Sequence, residues 1–322
     1  MYVSLILITC LNFFILRYIR KIIGYINLFD YPDNNRKIHR EKIAPIGGVI
    51  ILINLICFYL INFFLDKNIH ELLMLIFAVS IFILGFIDDK FRINSNLKFI
   101  LFIFFAFLLF YFDNNLIINE LSFSFLEKNI NIGKYSLFFS IFSLVIFLNA
   151  FNMFDGINLQ SSLYAIFILL IFVFHNFYFN ISIIIILSLI FFLILNYKNI
   201  CFLGDNGSLL IAFLISYIFF QSANDGIFFA DEILLIMLVP GIDLIRLFFL
   251  RLRQKKSPFS PDNNHFHHHL INKFGLIKTN IYILFLIIGP YIVAKFTNNF
   301  VLLIIFTILI YFFMLRALKV KI

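Results

Sequence analysis

Apolar residues in this chain come in long runs, and the polar residues between them come in short clusters. The runs cover 2–23, 45–65, 70–87, 97–113, 135–152, 160–177, 179–196, 207–223, 231–250, 278–295 and 299–317. Most approach the roughly 20 residues that a helix needs to cross a bilayer. A transmembrane barrel would instead alternate apolar and polar positions in segments of about ten. The pattern predicts an all-α polytopic membrane protein with about eleven transmembrane helices, ten being the nearest count. Only His175 and Asn176 interrupt 160–196, which reads either as one kinked hairpin or as two full spans.

Composition strengthens this reading. Of 322 residues, 63% are hydrophobic and 13% charged, with 49 Phe and no Trp, far more apolar surface than a soluble domain uses. Lys and Arg then orient the spans, because cytoplasmic loops are enriched in them. With the N-terminus periplasmic, all of the 25 basic residues except Lys67, Lys128, Lys134 and Lys295 fall in or beside cytoplasmic segments. The net charge of +8 is therefore a positive-inside bias that attracts anionic lipid, with no nucleic-acid partner implied. The first run lacks the basic lead and cleavage site of a signal peptide and reads as a retained helix. Cys10, Cys57 and Cys201 lack metal-like spacing and read as packing residues. No internal repeat is visible, and 1–322 reads as a single integral membrane domain.

The segments on the two sides differ. Outside, Asp66, Glu71, Asp113, Glu120, Glu127, Asp225, Asp231 and Glu232 are scattered through short connectors and read mostly as solvated loop charges. The longest external segment, 114–134, contains "LSFSF" and later Gly133, which suggests a small periplasmic β-hairpin. Inside, five polar clusters sit beside helix ends: "DYPDNNRKIHREKIAPIGG" from Asp30, "GFIDDKFRINSNLK" from Gly85, "NAFNMFDGINLQ" from Asn149, "LNYKNICFLGDNGS" from Leu195, and "PGIDLIRLFFLRLRQKK" from Pro240, which runs on to "SPFSPDNNHFHHHL". Five clusters on one face predict one cytoplasmic active-site cleft.

Each cluster has a plain structural reading beside a chemical one. Asp88 and Asp89 are adjacent, so on a helix they point about 100° apart; they suit a solvated helix end or a Mg²⁺–phosphate site. Asp155 before Gly156 suits a helix cap or a carboxylate at a tight turn, with Asn149, Asn152, Asn158 and Gln160 as neutral donors and acceptors around it. Asp205 stands among Gly204, Gly207 and Ser208 just before an apolar run, as either a helix cap or a phosphate site at a helix N-terminus. Gly47 and Gly48 read as close helix packing. Arg36, Lys37, His39 and Arg40 form a basic border patch. His265, His267, His268 and His269 suit zinc, a solvated loop, or a phosphate grip backed by Arg251, Arg253, Lys255 and Lys256. Were they helical, His265 would share a face with His268 and His269 and not with His267. Pro240 and Gly241 predict a broken helix ahead of Asp243 and Arg246, an intramembrane acid–base pair of functional or structural use.

In this order, "DYPDNNRKIH", "PIGG", "GFIDD" with Lys98 following, "NAFNMFDGIN", "FLGDNGS" and "KKSPFSPDNNHFHH" resemble the polyprenyl-phosphate N-acetylhexosamine-1-phosphate transferase family, glycosyltransferase family 4, over nearly the whole chain. The resemblance implies transfer of a sugar-1-phosphate from a UDP-N-acetylhexosamine to polyprenyl (undecaprenyl) phosphate in the bacterial inner membrane. UMP leaves, and Mg²⁺, with Mn²⁺ as an alternative, is the cofactor. It implies Asp205 as the principal metal ligand, Asp88 and Asp89 at the lipid phosphate and metal, Asp155 near the nucleotide, and His265, His267 and His268 at the diphosphate. Arg36, Lys37, His39, Lys98, Asn149, Asn152, Asn158 and Lys198 fall at its substrate-binding positions, and a homodimer is an open assembly. Two features depart from it: Asn158 stands where many relatives have a second Asp, and Leu159-Gln160 replaces the usual Gly-Leu. "HFHHH" reads as the His-x-His-His of the UDP-HexNAc branch or the His-His-His of the muramoyl-pentapeptide branch; "RKIH" and Asp262 favour the first. The alternative from another class is an ion-coupled transporter, which would place its ionisable residues near the bilayer midplane.

Overall fold

The structure, a computed structural model, describes residues 2–32, 41–63, 69–257 and 262–320. The apolar runs become helices α1 (Tyr2–Ile26), α2 (Gly47–Phe63), α3 (Ile69–Phe91), α4 (Ser95–Phe112), α5 (Ser136–Phe154), α6 (Gln160–Phe174), α7 (Phe179–Tyr197), α8 (Gly204–Asn224), α9 (Ala230–Arg253), α10 (Phe266–Thr297) and α11 (Phe300–Ala317). Among the described residues, nine helices are long and apolar enough to cross a membrane, and α2 and α6, at 17 and 15 residues, are shorter apolar helices. The chain is thus an all-α, multi-pass membrane protein. The 160–196 run divides into two helices, and the break between them holds Asn176 and Tyr178 at φ of 55° and 46°.

Two compact units emerge, one of Met1–Ile93 with Ser161–Ile215, the other of Asn94–Gln160 with Ser216–Ile322. In the first, α2 packs on α7, and both pack on α1. Asn12 and Asn54 lie buried in the apolar α1–α2 contact and exchange side-chain hydrogen bonds of 3.0 and 2.9 Å. Each amide also donates to the carbonyl four residues back, Ile8 at 2.9 Å and Ile50 at 2.8 Å. Such a saturated amide pair is a strong registering contact where neither water nor lipid offers a partner. Strand β1 (Ala44–Pro45) pairs in parallel with β4 (Cys201–Phe202), which brings "PIGG" against "FLGDNGS".

In the second unit α9 packs against α5, α10 and α11. Three expectations change here. The helix does not break at Pro240–Gly241; α9 runs through both, held by packing on three neighbours. The break falls instead in α10, at Gly275, whose φ of 75° and ψ of 172° suit glycine. The hairpin is present as β2 (Glu120–Leu121) and β3 (Ile130–Asn131), antiparallel, but it stops short of "SFSF". There Ser124 turns its N–H and hydroxyl to Asp231, at 3.1 and 2.5 Å, leaving no strand partner for them. Three of the supposed loop acids are accordingly buried and bonded: Asp231, Asp113 with Tyr217 Oη at 3.0 Å, and Glu232 with Lys295 Nζ at 2.6 Å and Tyr291 Oη at 3.0 Å. Glu120, Glu127 and Asp225 are exposed as expected.

The departure at Leu159-Gln160 carries a visible cost. Leu159 takes φ of 73°, a left-handed backbone that a Cβ disfavours by about 1–2 kcal/mol. Gln160 is 1% exposed, and neither its Oε1 nor its Nε2 has a hydrogen-bond partner among the described residues. A buried amide left unpaired costs about 1–3 kcal/mol. The double variant Leu159→Gly, Gln160→Leu therefore melts higher than the parent by about 4–8 °C, as thermal unfolding in detergent would show; an unchanged or lower midpoint contradicts the strain.

Candidate active-site residues

In the first unit, glycines set the site before any charge does. A Cβ on Gly85 would stand 2.5 Å from the Asp205 carbonyl oxygen, and one on Gly48 would stand 2.5 Å from Gly207 N. Backbones of α2, α3 and α8 therefore touch at the start of α8. This contact lets Asp89, at the end of α3, reach the α8 N-terminus. Its carboxylate accepts Asp205 N–H at 3.0 Å, Asn206 N–H at 2.9 Å and the Asn206 side-chain amide at 2.5 Å. That amide also donates to Pro45 O at 2.7 Å, tying the β1 end to the same point. Unpaired N–H groups at a helix start favour an anion, and here the anion is a side chain of another helix.

Asp88 looks elsewhere, as adjacent helical positions require. It is buried and accepts Ile93 N–H at 2.7 Å across the turn that ends α3. Asp205 stands in the first turn of α8, half-buried, near enough to Asp89 for the two carboxylates to repel. Lys198, the last cap of α7, lines a groove with Arg17, Arg20 and Lys21. Arg36, Lys37 and His39 lie outside the described residues.

In the second unit, Asp155 is the C-cap of α5, its N–H donating to Phe151 O at 3.1 Å and Asn152 O at 3.3 Å. Lys98 Nζ donates to Asn152 Oδ1 at 3.3 Å, so two predicted substrate positions, 54 residues apart, meet. Asn149 turns its amide to Val145 O in its own helix at 2.8 Å, while the Asn158 carbonyl accepts from Asn280 at 3.1 Å.

The histidines form a different cluster from the helical expectation. His265 is the N-cap of α10, with extended backbone, so the 3.6-residue period starts only after it. It stacks on His267 at 5.2 Å and 13°, and His268 meets both rings, at 5.8 Å from His265 and 4.3 Å from His267. His267 is buried, and its Nε2, without a hydrogen-bond partner among the described residues, lies over Gly156, where any Cβ would collide with the ring. The Asp155-Gly156 turn and the histidine cluster are thus one constellation. Gly156→Ala pushes His267 off its seat, and a misplacement of about 1 Å lowers kcat roughly 100-fold; a kcat within threefold of the parent contradicts this.

Sequence reasoning flagged Asp243 and Arg246 without seeing what they hold. The Asp243 carboxylate accepts Arg246 at 2.7 Å, Tyr311 Oη at 2.7 Å and the Phe266 N–H at 3.3 Å, and it faces His265 Nδ1 at 3.2 Å. A carboxylate at Nδ1 keeps the proton there and turns Nε2 outward. Arg246 also donates to Asn264 O at 2.5 Å. One turn on, Arg251 bonds Asp262 at 2.7 Å, and Asp262 accepts Asn264 N–H at 2.8 Å. Burial would raise the Asp262 carboxyl, but the Arg251 hydrogen bond, the Asn264 N–H and the nearby positive charges outweigh it and hold the group below the usual range. A folded pKa so depressed keeps this clamp intact above the ordinary carboxylate pKa of about 3.9 and loses it only as pH falls further.

Residues 71–223 match glycosyl transferase family 4. The chain is similar to an undecaprenyl-phosphate alpha-N-acetylglucosaminyl 1-phosphate transferase of Thermotoga maritima, 30% identical over 255 residues that cover 78% of this chain and 75% of that protein. The like-named protein of Escherichia coli O157:H7 is 29% identical over 299 residues, covering 88% and 78%. That of Yersinia pestis is 28% identical over 287 residues, covering 82% and 75%.

Proposed function

Because the chain belongs to the polyprenyl-phosphate N-acetylhexosamine-1-phosphate transferases of glycosyl transferase family 4, we propose that it moves N-acetylhexosamine-1-phosphate from a UDP-sugar to undecaprenyl phosphate, releasing UMP. A terminal oxygen of the lipid phosphate attacks the sugar-bearing phosphorus. The bond from that phosphorus to the bridging oxygen breaks, and UMP leaves with the oxygen, while the sugar C1–O bond stays intact. The observation that carries this reading is Asp89 clamped across the start of α8 beside Asp205. Two carboxylates held together at a helix end are a place for a cation that in turn gathers phosphates.

The residues fit Mg²⁺. That ion takes one or two carboxylates and completes its octahedron with substrate phosphates and water, and no group of three or more ligand-type side chains is arranged to enclose a metal among the described residues. Both Asp89 oxygens already accept hydrogen bonds, so Asp205 is the principal ligand and Asp89 chiefly its positioner. When bound, Mg²⁺ neutralises the phosphate charge that grows in transfer. Asp88 serves the lipid phosphate; Asp155 with Lys98, Asn149, Asn152 and Asn158 serves the nucleotide and sugar; His265, His267 and His268 bind the donor diphosphate. Arg36, Lys37 and His39 supply further positive charge, whereas Lys198 sits in a basic groove of its own between α1 and α7. The joined rings of His265, His267 and His268 support the His-x-His-His frame and hence the UDP-HexNAc branch. About eleven helices, ten being the nearest count, span the inner membrane with the N-terminus outside, residues 1–322 make one transferase domain, and the chemistry faces the cytoplasm, where the basic residues gather.

Membranes holding the protein, given radiolabelled UDP-N-acetylglucosamine, undecaprenyl phosphate and Mg²⁺, should form a butanol-extractable lipid-linked sugar, and chelation should stop it. Folded protein that makes no such product from any of a broad panel of UDP-HexNAc donors would sink the proposal.

A further inference from the structure

None of the carboxylates or histidines described above lines the groove beside Lys198. It holds about 650 Å³ between the C-terminal ends of α1 and α7, and Arg17, Arg20, Lys21 and Lys198 line it together with Tyr18 and Ile194. No Asp or Glu lines it, and none of the four cations has a carboxylate partner among the described residues. Arg17 and Lys21 lie 5.8 and 5.6 Å from the Tyr18 ring centre, one ring steadying two cations. Four like charges around a hollow repel one another unless an anion sits among them.

The walls say what kind of anion. Toward the body of the helices the groove opens on an apolar strip of exposed Phe13, Phe14, Ile190 and Ile194. Phe13 meets Phe191 edge-on at 5.1 Å, closing the α1–α7 seam beneath the cations. Cations at helix ends above a lipid-facing apolar strip match a molecule with a phosphate head and acyl tails. We propose that this groove is a binding site for the phosphodiester headgroup of an anionic phospholipid, its chains lying along the strip. The site belongs to the bilayer's own lipid, and it stands whether or not the transfer reading holds.

Native mass spectrometry of the purified protein with equal phosphatidylglycerol and phosphatidylcholine tests it. Each basic residue near a membrane surface contributes about a fivefold factor in affinity. Retained phosphatidylglycerol should therefore fall about 100-fold in the triple variant Arg17→Gln, Lys21→Gln, Lys198→Gln, with phosphatidylcholine unchanged. The single variants, each expected to lose about fivefold, keep the test decisive if the triple does not fold. Retention within twofold of the parent in the variants overturns the proposal. So does one-for-one displacement of phosphatidylglycerol by undecaprenyl phosphate, which would make the groove an acceptor site.

Discussion

Asp205→Asn should lower transfer about 1,000-fold at saturating Mg²⁺ while leaving the melting point within a few degrees of the parent. The first half follows from charge: a ligand that anchors the cation contributes several kcal/mol to the transition state, and about 4 kcal/mol is three decades in rate. The second half follows from which atoms hold the fold. Asp89 caps α8 through the N–H groups of Asp205 and Asn206, and neither depends on the Asp205 side chain. Asparagine keeps the shape and removes one of two repelling charges. Asp89→Ala, by contrast, should lose stability as well, since three donors lose their acceptor at once. Activity within tenfold of the parent in folded Asp205→Asn protein would remove Asp205 from the metal; loss of folding would make it a structural cap.

Asp243→Asn is the second large effect, and it acts on both stability and rate. The carboxylate faces Arg246, Tyr311, His265 and the Phe266 N–H, so it meets donors on every side. An amide turns its own NH₂ toward one of them and leaves Arg246 buried without a counter-charge. Breaking a buried pair in this way costs about 3–5 kcal/mol. His265 loses the partner that fixes its ring, and kcat should fall about 100-fold through misplacement of the cluster. The split that marks positioning is a lower kcat with an unchanged KM for undecaprenyl phosphate. Equal loss in a variant that swaps only Tyr311 for Phe would shift the role from the carboxylate to the tyrosine.

The hydrocarbon part of this molecule was legible because a bilayer imposes one rule on every span, and each apolar run became a helix within a few residues of its expected ends, except that α10 begins at Phe266 and not at 278. Cap chemistry was legible too: Asp205 beside small residues before an apolar run does start a helix. Tyr311 was invisible, since it lies 68 residues from Asp243 and contributes one hydroxyl from the middle of an apolar segment. Gly85 looked like part of an acidic signature, yet its service is to let α8 approach. The histidine face came out wrong because helical periodicity was applied to His265, which sits one residue before the helix begins. The break lies at Gly275 and not at Pro240 for a related reason: whether a helix breaks is decided by what packs around it, and that is not written in the local residues.

The contact of α2, α3 and α8 through Gly48, Gly85 and Gly207 has a bearing on how such a protein can drift. Asp89 and the start of α8 are spaced by main-chain atoms, whose dimensions no substitution alters, so the spans around them can trade one apolar side chain for another with little effect on the spacing. A chain with 49 Phe can vary most of its bilayer-facing surface in this way, provided it leaves three hydrogen atoms where side chains would otherwise be. Evolutionary freedom and chemical constraint are thus divided by depth, and the boundary between them is a few glycines wide.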